Sequence, residues 1–288
     1  MCGIVGIIGG EASAQAVAQM AVRLRHRGPD GEGVYAEPGA AFAHRRLSIQ
    51  DLSEAARQPM VHGRHVITYN GELYNHEALR AGLPGPWRST GDTEVLLRLL
   101  ARDGDSALER LIGMFAFALW DGERRRLLLA RDRLGIKPLY YRPLPDGIAF
   151  ASELKALLPL GRPEVDRSAV RDYLSYGYVP APKTIYRGIA KLPAGHRLVF
   201  EDGEILIERW WHPSAALRMR DEEETLGRLD SLLHEIVPAH TLSDVPVGVF
   251  LSGGIDSALT TYYLDRPHTY TLGFERNGRS ETQAARRL

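Results

Sequence analysis

A change of pattern near residue 210 limits what this chain can fold into more than any single motif does. Before it, apolar runs of strand length follow one another through turns, with a few helices between them; after it, helix and strand alternate. Two domains follow from that change, placed at residues 2–210 and 211–288. In the first, residues 112–120 and 126–130 are apolar runs separated by Asp121-Gly122 and charged residues, the signature of a hairpin. Thr90-Gly91-Asp92 precedes Val95, Leu96, Leu99 and Leu100, a stripe along one helical face. An earlier helix is expected over 14–25, and a hairpin between Leu192-Pro193-Ala194-Gly195-His196 and Trp210-Trp211-His212-Pro213. In the second domain a helix over 222–240 leads into the apolar run 245–251, which reads as a buried parallel strand. A loop at 252–257, a short helix and a strand over 268–274 complete one βαβ unit.

Composition removes several classes of function. Lys and Arg total 36, as do Asp and Glu, so nothing in the charge balance draws nucleic acid or an anionic membrane. Cys2 is the single cysteine, which excludes an intramolecular disulfide framework and a Cys-rich zinc site. No basic start with a long apolar stretch marks a secretory signal. The longest apolar run, 114–120, is far short of the roughly 20 residues that span a bilayer. A cytoplasmic enzyme is the expectation.

Cys2 carries the first chemical signal. Removal of Met1 leaves a thiol and a free α-amine on one residue, and the amine titrates near pH ~8, close to a cysteine thiol at ~8.5. The amine then takes the thiol proton without a dedicated histidine, as an amino-terminal threonine does with its own amine. The second signal is Ser252-Gly253-Gly254-Ile255-Asp256-Ser257 between a strand and a helix. Backbone N–H groups and the positive helix end suit an anion there, the glycines allow close approach, and Ser252 and Ser257 add hydroxyl donors. Asp256 is the candidate ligand for Mg2+, or a helix cap. The loop lacks the lysine of the G-x-x-x-x-G-K-[ST] motif, so a γ-phosphate cradle is not expected.

Taken in order, Cys2-Gly3-Ile4-Val5-Gly6, His26-Arg27-Gly28-Pro29-Asp30, Arg46-Leu47-Ser48-Ile49, Tyr69-Asn70-Gly71-Glu72-Leu73-Tyr74-Asn75, Gly91-Asp92-Thr93-Glu94, the stretch 131–141 and the loop 252–257 resemble glutamine-hydrolysing asparagine synthetases. The resemblance runs along nearly the whole chain. It implies an αββα four-layer sandwich of the Ntn-hydrolase type, a class II glutaminase, followed by the start of a doubly wound α/β nucleotide-binding domain of the ATP pyrophosphatase type. It also implies roles. Cys2 attacks the glutamine carboxamide, with the Asn70 side chain and the Gly71 N–H as oxyanion hole. Arg46 holds the substrate carboxylate, Glu72 and Asp92 its ammonium, and Ile49 and Asn70 complete the glutamine site. His26 and Arg27 support the site from nearby. Phe250, Leu251, Ser252, Gly253, Gly254, Asp256, Ser257 and Leu272 surround ATP. Before the resemblance is weighed, Asn70-Gly71 also reads as a type I′ turn, Arg46 as a surface ion-pair residue and Asp92 as a helix N-cap.

The implied reaction converts L-aspartate, ATP and L-glutamine to L-asparagine, AMP, pyrophosphate and L-glutamate, with ATP and Mg2+ required and a homodimer as the expected assembly. The stretch after Ser252 is too short for a complete nucleotide-binding domain. A capping box from Ser280 to Gln283 opens a last helix, and the helix after Ser257 is interrupted early by Asp265-Arg266-Pro267. Glutaminase chemistry alone is therefore expected of this chain, with the acceptor site and the synthetase reaction in a longer parent. Two other readings share the motifs: an amidotransferase for another carboxylate acceptor, and a silent glutamine-binding remnant.

Overall fold

The computed structural model describes residues 1–214, 221–273 and 281–288. The chain divides into two compact units, Met1–Pro213 and Ser214–Leu288.

The first unit runs β1 (Gly3–Ile8), α1 (Ala14–Val22), β2 (Gly31–Glu37), β3 (Ala40–Arg46), β4 (Met60–His62), β5 (His65–Leu73), α2 (His76–Ala81), α3 (Asp92–Asp103), β6 (Gly113–Asp121) and β7 (Arg126–Arg131). It continues through β8 (Tyr140–Leu144), β9 (Gly147–Ala151), α4 (Arg167–Tyr176), β10 (Ala190–Lys191), β11 (His196–Glu201) and β12 (Glu204–Arg209). The strands form two six-stranded sheets, ordered β10-β8-β9-β1-β3-β2 and β12-β11-β7-β6-β5-β4. Every pairing within them is antiparallel.

Three apolar clusters separate four layers, and they explain why the central strands lack the polar alternation of a half-buried sheet. In β1, Ile4 and Ile8 face the other sheet while Val5 and Ile7 face α1. In β6, Ala116, Ala118 and Trp120 face the first sheet while Phe115, Phe117 and Leu119 pack with α3. Both faces are covered, so both parities are apolar. The result is the αββα sandwich, and the two expected hairpins are β6–β7 and β11–β12. Helix α3 buries Val95, Leu96, Leu99 and Leu100 as its stripe requires. Helix α1 ends at Val22, before the expected residue 25, and the chain continues in turns. Asn70-Gly71 is not a turn: both residues lie inside β5, opposite Ala116 and Phe115 of β6.

The second unit contains α5 (Glu222–Ala239), β13 (Gly248–Phe250), α6 (Ile255–Tyr262), β14 (His268–Tyr270) and α7 (Thr282–Ala285). Strands β13 and β14 pair in parallel. Two expectations need correction. The strand expected over 245–251 is only Gly248–Phe250, and it is not buried, since Phe250 is 77% exposed. A parallel strand is buried only when helices cover both faces of its sheet, and α5 has no buried residue. The strand expected over 268–274 ends at Tyr270, so Leu272 lies beyond it, and Phe274 is outside the described residues. Ser280 of the expected capping box is also outside them, and α7 has Glu281 at its cap position with no side-chain cap bond. Among the described residues, no helix is long and apolar enough to cross a membrane.

Candidate active site

Strand β1 is central in its sheet, and Cys2 precedes its first residue. Gly3 pairs with Arg45 of β3, which brings Cys2 to the chain leaving β3. There Leu47 N donates to Cys2 Sγ at 3.4 Å, and Sγ lies 3.7 Å from Leu47 O. Arg27 Nε donates to Cys2 O at 2.8 Å, and the same guanidinium pairs with Glu153 at 2.9 Å. Glu153 also receives His26 at 2.9 Å and Lys155 at 3.1 Å. Burial works to raise the Glu153 carboxyl, but the bonds from Arg27, His26 and Lys155 hold it down at about 2. His26 and Arg27 thus form an ion-pair cluster with Glu153 behind the Cys2 backbone. Burial pushes the Cys2 thiol up, while the Leu47 backbone, the terminal amine and Arg46 pull it down. Burial also lowers the pKa of the terminal amine beside it.

The opposite wall is β5. In an antiparallel ladder only alternate residues exchange bonds with a given neighbour. Because Tyr74 N donates to Ile112 O, the even-numbered residues of β5 bond to β6 and the odd-numbered N–H groups face the other edge. Beyond Ile67 no strand covers that edge, since β4 pairs only with His65–Ile67 in register. Side chains take its place: Gln58 Oε1 accepts from Tyr69 N at 2.7 Å, and Asp92 Oδ2 accepts from Leu73 N at 2.9 Å. The Gly71 N–H lies between them, lining the cavity. A Cβ on Gly71 would stand 2.4 Å from Met114 O and 2.8 Å from Phe115 Cα, so only glycine fits. Beside it, Asn70 Nδ2 is buried and makes no hydrogen bond among the described residues. An orphaned buried amide donor is uncommon and calls for a partner.

Cys2, Arg46, Ile49, Asn70, Gly71, Glu72 and Asp92 all line one cavity of about 80 Å³. They come from the residue before β1, from β3 and its following loop, from β5 and from the first turn of α3. The Arg46 guanidinium donates to Ser53 O at 2.9 Å, to Gln50 O at 3.5 Å and to Asp51 O, so it ties down the 50–53 loop as well as facing the cavity. Asp92 is the first residue of α3 rather than its cap, which is Gly91. Its buried carboxylate accepts from Tyr69 Oη at 2.7 Å and from Leu73 N; burial raises its pKa and those two bonds lower it.

Gln58, Tyr69, Thr93 and Lys137 also line the cavity: Gln58 lies outside every motif named above, and the other three lie within motifs but were given no role. Lys137 is presented by a loop that two side chains tie down. Asp132 accepts from the N–H groups of Leu134, Ile136 and Lys137, and Arg131 donates to the carbonyls of Gly135, Lys137 and Leu192.

In the second unit the loop between β13 and α6 closes on itself. Ser252 Oγ and Ser257 Oγ are 2.8 Å apart, Ser252 N donates to Ser257 Oγ at 3.1 Å and Gly254 N to Ser252 Oγ at 3.2 Å. The hydroxyls expected to face a ligand are bonded to each other. Phe250 and Leu272 are exposed, whereas Leu251 is buried and its N–H donates to Tyr270 O. A hard cation takes six or more oxygen ligands, and among the described residues no group of three His, Cys, Asp or Glu side chains could hold a metal ion. Asp256 stands by itself in the first turn of α6, and a single carboxylate of this kind holds Mg2+ only together with waters and substrate phosphates.

Residues 1–211 match the family described as glutamine amidotransferase domain, and residues 228–288 match asparagine synthase. Asparagine synthetase [glutamine-hydrolyzing] 1 of Bacillus subtilis (strain 168) is 35% identical over 99% of this chain and 48% of its own length. Asparagine synthetase B [glutamine-hydrolyzing] of Escherichia coli (strain K12) is 38% identical over 90% of this chain and 44% of its own. The chain thus spans about half the length of the curated relatives it matches. The solved structure of the glutamine phosphoribosylpyrophosphate amidotransferase from B. subtilis, complexed with ADP and GMP, superposes with a TM-score of 0.58 at 21% identity, covering 74% of this chain and 50% of that one. That likeness concerns the fold, an Ntn-hydrolase-type sandwich of two antiparallel sheets between helical layers. With a cysteine beside the amino terminus, a cavity built from both sheets and the family match over its whole first unit, the chain belongs to the glutamine amidotransferase domain family, joined to a segment of the asparagine synthase family.

Proposed function

We propose that the first unit is a glutaminase in which Cys2 is the nucleophile. The observation that carries this reading is the convergence on one cavity of the half-buried Cys2 thiol, the unpartnered Asn70 Nδ2 and the Gly71 N–H. With Met1 removed, the α-amine belongs to Cys2 itself. Sulfur attacks the glutamine carboxamide carbon while its proton passes to that amine. The oxygen of the tetrahedral intermediate sits between Asn70 Nδ2 and Gly71 N, a pair of donors fixed before substrate arrives. The amine returns the proton to the departing nitrogen as the carbon–nitrogen bond breaks, leaving a thioester and ammonia. Water, relieved of a proton by the same amine, then releases glutamate. Arg46 offers a guanidinium fork to the substrate carboxylate, and Asp92 with Glu72 receives its ammonium.

Release of glutamate from L-glutamine tests the reading. A chain whose intact mass shows Met1 gone should turn over, and Cys2→Ala should not. A folded chain that begins at Cys2 and releases no glutamate would leave a silent glutamine-binding module instead.

For a protein spanning the full length of the relatives, we propose that the ammonia is used to make L-asparagine from L-aspartate. The turn at Ser252, Gly253, Gly254 and Ser257 is then the cradle for the phosphates of ATP, with Asp256 the carboxylate that would meet them through Mg2+ and Phe250, Leu251 and Leu272 beside the nucleoside. Its support is the strand–loop–helix order with Gly254 capping α6 and no side chain occupying the cap. ATP supplies the adenylyl group that turns an acceptor carboxylate into an electrophile. Product analysis with L-aspartate, glutamine and ATP decides between asparagine and the amide of another carboxylate.

A further inference from the structure

Tyr69 precedes the Asn70-Gly71 pair and is held at each of its three polar atoms. Its N–H donates to Gln58 Oε1 at 2.7 Å, its carbonyl accepts from His44 Nε2 at 3.2 Å, and its hydroxyl donates to Asp92 Oδ2 at 2.7 Å. The Asp92 oxygen that receives the hydroxyl also receives Leu73 N, so one carboxylate is fastened to β5 on both sides of Asn70-Gly71. The ring lies under the glycine as well: a Cβ on Gly71 would be 2.6 Å from Tyr69 Cε2. Bulk alone does not account for a tyrosine here. On the same face of the sheet core, Phe115 and Phe117 fill their places without a polar atom. What the phenol adds is a donor to a carboxylate that burial otherwise pushes toward its neutral form. Burial and the Asp92 charge keep the phenol's own proton firmly in place, so it serves only as a donor.

We propose that Tyr69 is a positioning residue that keeps Asp92 an ionised, aligned receptor for the α-ammonium of glutamine and couples that recognition to the placement of Asn70 and Gly71. The inference rests on the glutaminase reading above and names the residue that sets its substrate class: amides carrying an α-ammonium group.

The test compares L-glutamine with 4-carbamoylbutanoate, the same amide without its α-amino group. Tyr69→Phe keeps the ring and deletes the hydroxyl. It should lower kcat/KM for glutamine about tenfold, the effect of one hydrogen bond to a charged group, while changing the value for the deamino analogue by less than about threefold. The preference between the two substrates should shrink accordingly. In an Asp92→Asn background, Tyr69→Phe should leave the preference unchanged. The same ratio read as Kd on the Cys2→Ala protein, by calorimetry, checks it without turnover. An equal loss for both substrates, or an undiminished preference, overturns the role given to Tyr69 while leaving the glutaminase intact. Absence of glutamate release by the unsubstituted, processed chain overturns the glutaminase reading itself.

Discussion

A run of apolar residues of strand length meets opposite surroundings in the two units. In β6 the aromatic rings at Phe115 and Phe117 are fully enclosed, whereas in β13 the ring at Phe250 is 77% exposed. Helix α3 buries its leucines, and α5, with leucines at 226, 229, 232 and 233, buries none of its residues. The difference teaches that such a run states a requirement, two covered faces, and that the requirement is met only where other layers supply the cover. It also explains where polar atoms find partners. The layered unit fixes Gln58, Tyr69 and Asp92 against one another through distant contacts, while the loop at Ser252 bonds to residues a few positions away.

The contrast leads to measurable expectations. Cys2→Ala should abolish glutamate release while Ser252→Ala leaves it unchanged; equal effects from both would erase the distinction between the units. Phe117→Ala should cost about 3–5 kcal/mol in urea unfolding, and Phe250→Ala should stay within about 0.5 kcal/mol. His44 supplies a pH test of the layered unit alone. Burial lowers its pKa to about 4, so between pH 6.5 and 4 the unfolded chain binds a proton that the folded one refuses, and stability falls with falling pH. The shift corresponds to about 3 kcal/mol by pH 4. His44→Gln should remove that part of the pH dependence while retaining a donor for Tyr69 O. Asn70→Ala should lower kcat on the order of a hundredfold, with a smaller effect on KM, measured by glutamate release.

The four layers were expected from the family resemblance; the residue pattern itself gave the apolar runs and hairpins, because covered strands write both of their faces in apolar residues, as Ile4, Val5, Ile7 and Ile8 do. The motif residues were readable only as an ordered set, since taken singly Arg46 suits a surface ion pair and Asp92 a helix cap. Asn70-Gly71 misleads when read locally, since the pair suits a tight turn as well as a strand interior closed by Met114 and Phe115. The roles of Tyr69, His44 and Gln58 were not readable, because they reside in partners brought from other elements. In the second unit the strand limits and the mutual bonding of Ser252 and Ser257 depend on backbone geometry that the motif does not specify.

Arg27 grips Cys2 by its carbonyl, and Leu47 meets its sulfur. Neither anchor involves the amide that an aminopeptidase would cut. Both holds on Cys2 are therefore independent of Met1, so under the proposed glutaminase reading loss of that residue frees the amine without loosening either.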